Sequence, residues 1–244
     1  MKQGIFEIIE NTALTESVFR MRLRGDTSAI TAAGQFVNIQ LAGKYLRRPI
    51  SVCEVSGDVL TIVYKVVGNG TEQMSQMSCG EKLDILTGLG NGYNLELAGE
   101  KPVLLGGGVG VPPMYELAKR LIAKGKKVKV ILGFNSKAEL FYEDEFKALG
   151  ADVTVTTVDG SYGMKGFVTD ALKNMEYTHF FTCGPEPMLK AVYKASTTSG
   201  QMSFEKRMGC GFGACMGSGY GFPYRSRRSG SAGQARRACH LRLY

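Results

Sequence analysis

The sequence has only two histidines, His179 and His240, in 244 residues, and neither has an obvious metal-binding partner. There is no G-x-S-x-G elbow and no H-E-x-x-H pair, so hydrolase and zinc-enzyme readings are poor. No apolar run approaches the ~20 residues needed to cross a bilayer. The N-terminus, Met1 to Glu7, lacks the apolar core of a signal peptide. The expectation is a cytoplasmic protein with no membrane partner. Acids are also missing in one place: none follows Glu205. The net charge of +8 comes from that tail, which holds eight of the 30 cations; the other 22 balance the 22 acids. A basic chain raises nucleic-acid binding, but a neutral body with a basic tail does not support it, and no nucleic-acid partner is expected. Six cysteines in such a chain read as metal-binding, redox-active or buried rather than disulfide-linked.

Two structural patterns follow one another. Residues 1–98 carry short β-branched and aromatic runs, Ile5–Ile9, Val18–Leu23, Phe36–Leu41 and Leu60–Tyr64, separated by turn residues such as Gly34 and Gly57. Such spacing predicts a small β-barrel or sandwich. Residues 99–202 alternate differently. Strands are expected at Val103–Leu105, Lys127–Leu132, Asp152–Thr156 and His179–Thr182. Helices are expected from Met114, over Leu140–Leu149, over Phe167–Met175 and over Pro187–Ala195. That alternation predicts a parallel α/β sheet. Residues 203–218 form a glycine- and cysteine-rich segment, and residues 219–244 an irregular basic tail without apolar period.

Several motifs carry chemistry. Gly106, Gly107, Gly108, Val109 and Gly110 follow a strand and open a helix, where a dinucleotide pyrophosphate meets free backbone N–H groups; a glycine turn needed only for packing is the alternative. Cys183, Gly184, Pro185 and Met188 lie at the carboxyl end of a later strand, beside which ligands of parallel sheets bind; a capped turn with a buried cysteine is the alternative. Arg48, Pro49, Ile50 and Ser51 begin a barrel strand, with an arginine able to pair with phosphate. Val63, Tyr64 and Lys65 precede a glycine loop containing Gly70 and Thr71. Finally, Cys210 and Cys215 stand at C-x4-C spacing in a glycine-rich run, as in plant-type 2Fe–2S sites, but Ser218 occupies the third ligand position.

In this order, R-P-x-S, G-x-G-T, GGGVGxPP and CGPxPM resemble the ferredoxin–NADP reductase superfamily. The C-terminal CGxGAC is similar to one branch, the electron-transfer subunits of class 1B dihydroorotate dehydrogenases, over about residues 3–217. The resemblance implies a ferredoxin reductase-like fold: an FAD-binding barrel and an NAD-binding α/β domain. It implies that Arg48, Pro49, Ile50, Ser51, Val63, Tyr64, Lys65, Gly70 and Thr71 hold FAD. Gly106 to Gly110, with Cys183, Gly184, Pro185 and Met188, would dock NAD. Cys210 and Cys215 would be two of four 2Fe–2S ligands. The implied partner is an FMN-containing catalytic subunit, in a heterotetramer of two plus two. Electrons from dihydroorotate would pass through the cluster and FAD to NAD+, in pyrimidine synthesis, with no side-chain acid or base required.

The similarity stops at Gly217. Cys239, 21 residues past Ser218, lies too far along for the family's fourth ligand. The cluster segment is therefore incomplete, and the tail reads as a shifted reading frame. Two other functional readings are a flavin reductase subunit serving a hydrogenase or ferredoxin, and an inactive variant lacking the cluster. No acid follows Leu132 within Gly133–Lys137, so local sequence does not separate NAD from NADP.

Overall fold

A computed structural model of the chain describes residues 1–204 and 239–243. Cys210, Cys215, Ser218 and the stretch 219–238 lie outside the described residues.

Six antiparallel strands form a closed barrel in the order β1-β2-β5-β4-β3-β6. These are β1 (Lys2–Ala13), β2 (Val18–Arg24), β3 (Phe36–Gln40), β4 (Arg48–Ser56), β5 (Val59–Lys65) and β6 (Lys82–Leu89), with helix α1 (Asn69–Ser75) between β5 and β6. Alternation explains the barrel core: Phe6, Ile8, Met21, Leu23, Val37, Ile39, Leu60, Ile62 and Ile85 point inward and are buried. β6 closes the sheet by pairing with both β1 and β3. Its run Ile85-Leu86-Thr87 is buried throughout, which erases the alternation that marks the other strands.

The second unit is a seven-stranded, all-parallel sheet in the order β10-β9-β8-β7-β11-β12-β13. It comprises β7 (Pro102–Gly107), α2 (Pro112–Ala123), β8 (Lys129–Phe134), α3 (Glu143–Ala148), β9 (Asp152–Thr157), β10 (Met164–Lys165), α4 (Val168–Leu172), β11 (His179–Cys183), α5 (Glu186–Ala195), β12 (Gly200–Phe204) and β13 (Cys239–Leu243). Two helices are shorter than expected. Before α3, Phe141 and Tyr142 are buried in the core, and Tyr142 is held in the left-handed region at φ 69°. Its ring meets Tyr115 edge-on at 5.2 Å. Tertiary packing therefore overrides helical periodicity at Leu140–Tyr142. The segment expected to be irregular ends in a strand: Cys239–Leu243 pairs in parallel with β12. Its sequence alternates Cys, Leu and Leu with His and Arg, and β12 offers a free edge to pair with.

The two units share one apolar core. Val18, Cys53 and Val63 from the barrel pack in the same cluster as Leu104, Met114, Leu117, Tyr142 and Phe181. α2 is also tied to the barrel by polar contacts. Glu116, with 5% of its side chain exposed, accepts from Val55 N–H at 3.2 Å and from Arg120 Nε at 2.6 Å. Arg120 donates to the Thr31 carbonyl at 2.6 Å, and Lys119 pairs with Glu54 at 2.6 Å. The helix that follows the glycine loop is thereby locked against the strand that begins at Arg48.

Candidate functional site

Val52 stands opposite Ile62, so the start of β4 and the end of β5 lie at the same end of an antiparallel pair. This places Arg48–Ser51 beside Val63–Lys65. The two arginines of the R-R-P-I-S motif separate clearly. Arg47 makes a paired contact with Asp84 at 3.1 and 3.0 Å and donates to the Asn38 carbonyl at 3.3 Å. Asp84 is held below the ordinary carboxylate range by that guanidinium. Arg48 pairs with no carboxylate among the described residues; it donates to the Leu46 carbonyl at 2.5 Å. Its guanidinium lies against Gly70, where an added Cβ would come 2.2 Å from Nε. Thr71 closes the adjoining turn: Oγ1 accepts from Val67 N–H at 2.9 Å and donates to the Gly68 carbonyl at 3.0 Å.

Not every barrel residue singled out from the sequence presents its side chain here. The Tyr64 ring is buried in the barrel interior, stacked on Phe19 at 5.9 Å, and its hydroxyl donates to Asn11 Oδ1 at 3.0 Å. Burial pushes its pKa up to about 12. Val63 packs in the core between the units, and Ile50 against the barrel core. Pro49 is exposed and Ser51 half-buried.

In the parallel sheet, β7 ends at Gly107, a short turn runs through Gly108–Gly110, and α2 begins at Pro112, a residue suited to a first helical turn. Gly108 has φ 52°, which glycine adopts without strain. β11 lies next to β7 with Cys183 opposite Gly106. The two loops that leave these strands touch closely. A Cβ on Gly110 would meet the Cys183 carbonyl oxygen at 2.2 Å, and one on Gly107 the Met188 Sδ at 2.3 Å. The two motifs are thus brought together at adjacent strand ends.

A cavity of about 690 Å³ opens there. Gly107–Gly110, Gly184, Pro185 and Met188 line it from the sheet, and Ser17, Val18 and Lys65 from the barrel. Cys183 is fully buried in the core between the units, while its neighbours form the cavity wall. Sequence reasoning missed Phe134, Asn135, Glu139 and Phe141, which also line it. Glu139 accepts from Asn135 Nδ2 at 2.8 Å, a pairing across a turn that no motif announces. His179 is buried, with Nδ1 3.0 Å from Ser199 Oγ, and stands apart from the lining. Burial pushes the Cys53 thiol up, with the Tyr142 hydroxyl as its partner. Among the described residues no group of three His, Cys, Asp or Glu side chains is placed to hold a metal.

The Oxidoreductase NAD-binding domain family matches residues 104–194. The chain is 45% identical over 220 residues to the dihydroorotate dehydrogenase B (NAD(+)) electron transfer subunit of Fusobacterium nucleatum, covering 84% of this chain and 85% of the relative. It is 42% identical over 226 residues to the subunit of the same name from Bacillus pumilus, covering 88% and 87%. The solved structure of the NADH-dependent reduced ferredoxin–NADP oxidoreductase superposes with a TM-score of 0.68 at 33% identity, covering 76% of this chain and 69% of that one. The chain, a barrel joined to a parallel sheet with a cavity between them, belongs to the family of dihydroorotate dehydrogenase B (NAD(+)) electron transfer subunits.

Proposed function

We propose that this chain carries electrons between a dihydroorotate-oxidising partner subunit and NAD+, with FAD bound on the barrel (residues 1–98) and NAD(H) on the parallel sheet (residues 99–202). The observation that carries the reading is the shared cavity. Its walls are the glycine loop and Met188 on one side and Lys65 with Val18 on the other.

The residues fit both cofactors. On the barrel, Arg48 offers a guanidinium without a carboxylate partner among the described residues, and Gly70, lacking a Cβ, lets that guanidinium lie against the backbone of the Gly68–Thr71 turn. That suits a diphosphate, whose charge guanidinium groups recognise. Ser51, Lys65 and Thr71 supply further polar groups at the same end, and Pro49, Ile50, Val63 and Tyr64 shape the strands that carry them. On the sheet, Gly106–Gly110 carry the chain from the end of β7 into α2, a 12-residue helix whose positive end favours a pyrophosphate. When bound, FAD exchanges a hydride with NAD(H) and single electrons with other carriers. The protein orients and shields. Val18, Phe134 and Phe141 put apolar surface around the cavity, and the Glu116 and Arg120 contacts set the spacing of the two units. The reading requires no side-chain acid or base.

The 2Fe–2S cluster fits less well. Such a centre takes four thiolates or close equivalents. The sequence supplies Cys210 and Cys215 at C-x4-C spacing, with Ser218 third and Cys239 remote, while Cys53 and Cys183 are buried and Cys79 is an exposed cysteine of the turn before β6. The composition break after Gly217 reads as a shifted frame, which sequencing the gene from Ala214 to the stop would check. In the full reading the partner is an FMN-containing catalytic subunit, two copies with two of this chain, in pyrimidine synthesis.

The test is an absorption spectrum with iron and acid-labile sulfide assays, followed by NADH titration. The reading expects flavin bands that NADH bleaches, and little iron. Absence of flavin would sink it. A second reading, a flavin reductase subunit serving ferredoxin or a hydrogenase, draws on the 33% identity to the ferredoxin–NADP oxidoreductase. Reduction of the flavin by reduced ferredoxin but not by dihydroorotate plus the catalytic subunit would favour it.

A further inference from the structure

Tyr45 and Val67 are the two most exposed large apolar or aromatic side chains among the described residues, at 98% and 79%. Both flank the Arg48–Gly70 contact. Leu46, next to Tyr45, accepts from Arg48, and Val67 N–H bonds to Thr71. The loop bearing Tyr45 is not loose. Gln40 Nε2 donates to the Lys44 carbonyl at 2.8 Å on one side of Tyr45, and Arg48 to the Leu46 carbonyl on the other. Gln73 of α1 donates to the Ala42 carbonyl at 3.3 Å, and Gly43 turns the chain at φ 70°. Side chains therefore anchor the backbone immediately before and after an aromatic ring that touches almost nothing. Displaying a large ring to water on a fixed loop is the arrangement of a stacking platform, since a preorganised ring loses little freedom on binding. The loop itself, from Leu41 to Cys53, contains no acid, while Glu72 stands in the first turn of α1.

We propose that Tyr45 is the platform on which the adenine ring of FAD stacks. The inference rests on FAD being the barrel's cofactor. The diphosphate sits at Arg48 and the Gly68–Thr71 turn. The isoalloxazine must face the cavity that Lys65 and Val18 line, because it exchanges a hydride with the nicotinamide. The adenosine then leaves the diphosphate away from that cavity, and Tyr45, which is not among the cavity's lining residues, is an exposed aromatic side chain next to Leu46, whose carbonyl holds Arg48.

FMN has the same isoalloxazine and one phosphate but no adenosine, which makes it the control. The experiment strips flavin from the full-length chain and titrates FAD and FMN into wild type, Tyr45→Phe and Tyr45→Ala, following flavin fluorescence. Base–aromatic stacking predicts that Tyr45→Ala weakens FAD roughly tenfold or more. Tyr45→Phe should keep wild-type FAD affinity, and FMN affinity should be the same in all three. Unchanged FAD affinity in Tyr45→Ala overturns the assignment, as does an equal loss for both flavins, which would report a disturbed loop. If the wild-type chain binds neither flavin, the FAD reading itself fails and this one with it.

Discussion

The guanidinium of Arg48 rests on the Cα of Gly70, so closely that a Cβ there would fall 2.2 Å from Nε and 2.9 Å from Cζ. The contact joins the first residue of β4 to the first turn of α1, two elements that are not hydrogen-bonded strand partners. Replacing Gly70 with alanine should push the arginine aside without harming the fold, because a long side chain can swing into solvent. FAD affinity should drop about tenfold, the scale of one charge-assisted hydrogen bond. Arg48→Ala should cost a similar amount, and the double variant no more than Arg48→Ala alone, since both act on one group. Flavin content after gel filtration and FAD titration check this.

The glycine loop should show a hierarchy. A Cβ at Gly110 meets the Cys183 carbonyl oxygen at 2.2 Å and its carbon at 2.5 Å, which are backbone atoms of a central strand. Gly110→Ala should therefore destabilise the protein by about 2 kcal/mol or more through overpacking, and raise the KM for NADH. At Gly107 the obstacle is the thioether of Met188, the far end of a flexible side chain. Gly107→Ala should be milder, and Met188→Ala should rescue it. Urea denaturation and stopped-flow flavin reduction by NADH separate the two effects.

Glu116 joins the units by accepting from Val55 N–H and Arg120. Glu116→Ala leaves a partly buried N–H and a partly buried guanidinium without this partner, a loss of about 2 kcal/mol for hydrogen bonds to a charged group. Thermal unfolding should shift down by several degrees while flavin remains bound to the barrel. An unchanged melting temperature would show that apolar packing alone holds the units together.

Acid sensitivity should trace to Asp84. Its pKa is lowered in the folded protein, chiefly by Arg47. A carboxylate with a depressed folded pKa contributes stability above the unfolded value of about 3.9. That contribution disappears as pH falls below this value and through the lowered one. Denaturation midpoints measured from about pH 5 downward should decline less steeply in Asp84→Asn than in wild type. Identical slopes would place the acid response elsewhere.

Tyr64 predicts the opposite limb. Burial raises its pKa to about 12, so its contribution is intact below the ordinary tyrosine value and is lost as pH rises through the folded one. Tyr64→Phe removes a hydrogen bond to Asn11 yet should flatten the alkaline decline. Absorbance at the phenolate band, followed together with far-UV dichroism, would show whether the two transitions coincide in the wild type.

Much of the architecture was legible in residues because local chemistry wrote it. Alternating β-branched strands, a proline-opened helix after Gly106–Gly110 and strand–helix alternation follow from periodicity and backbone preference, which short segments express by themselves. The order of the motifs was equally plain in the sequence. What local pattern could not show was which of two adjacent arginines lacks a carboxylate partner among the described residues: Arg47 is paired with Asp84, 37 residues away, whereas Arg48 bonds only the Leu46 carbonyl there. Nor could it show that Tyr64 turns into the barrel, that Phe141 and Tyr142 break a helical pattern, or that Ile85–Thr87 close the barrel with their alternation hidden by two-sided burial. The same holds for Glu139 at the cavity and Tyr45 beside Arg48. These facts depend on contacts between distant segments. Periodicity and motif spacing report a residue's neighbours along the chain, and only the folded packing decides its neighbours in space.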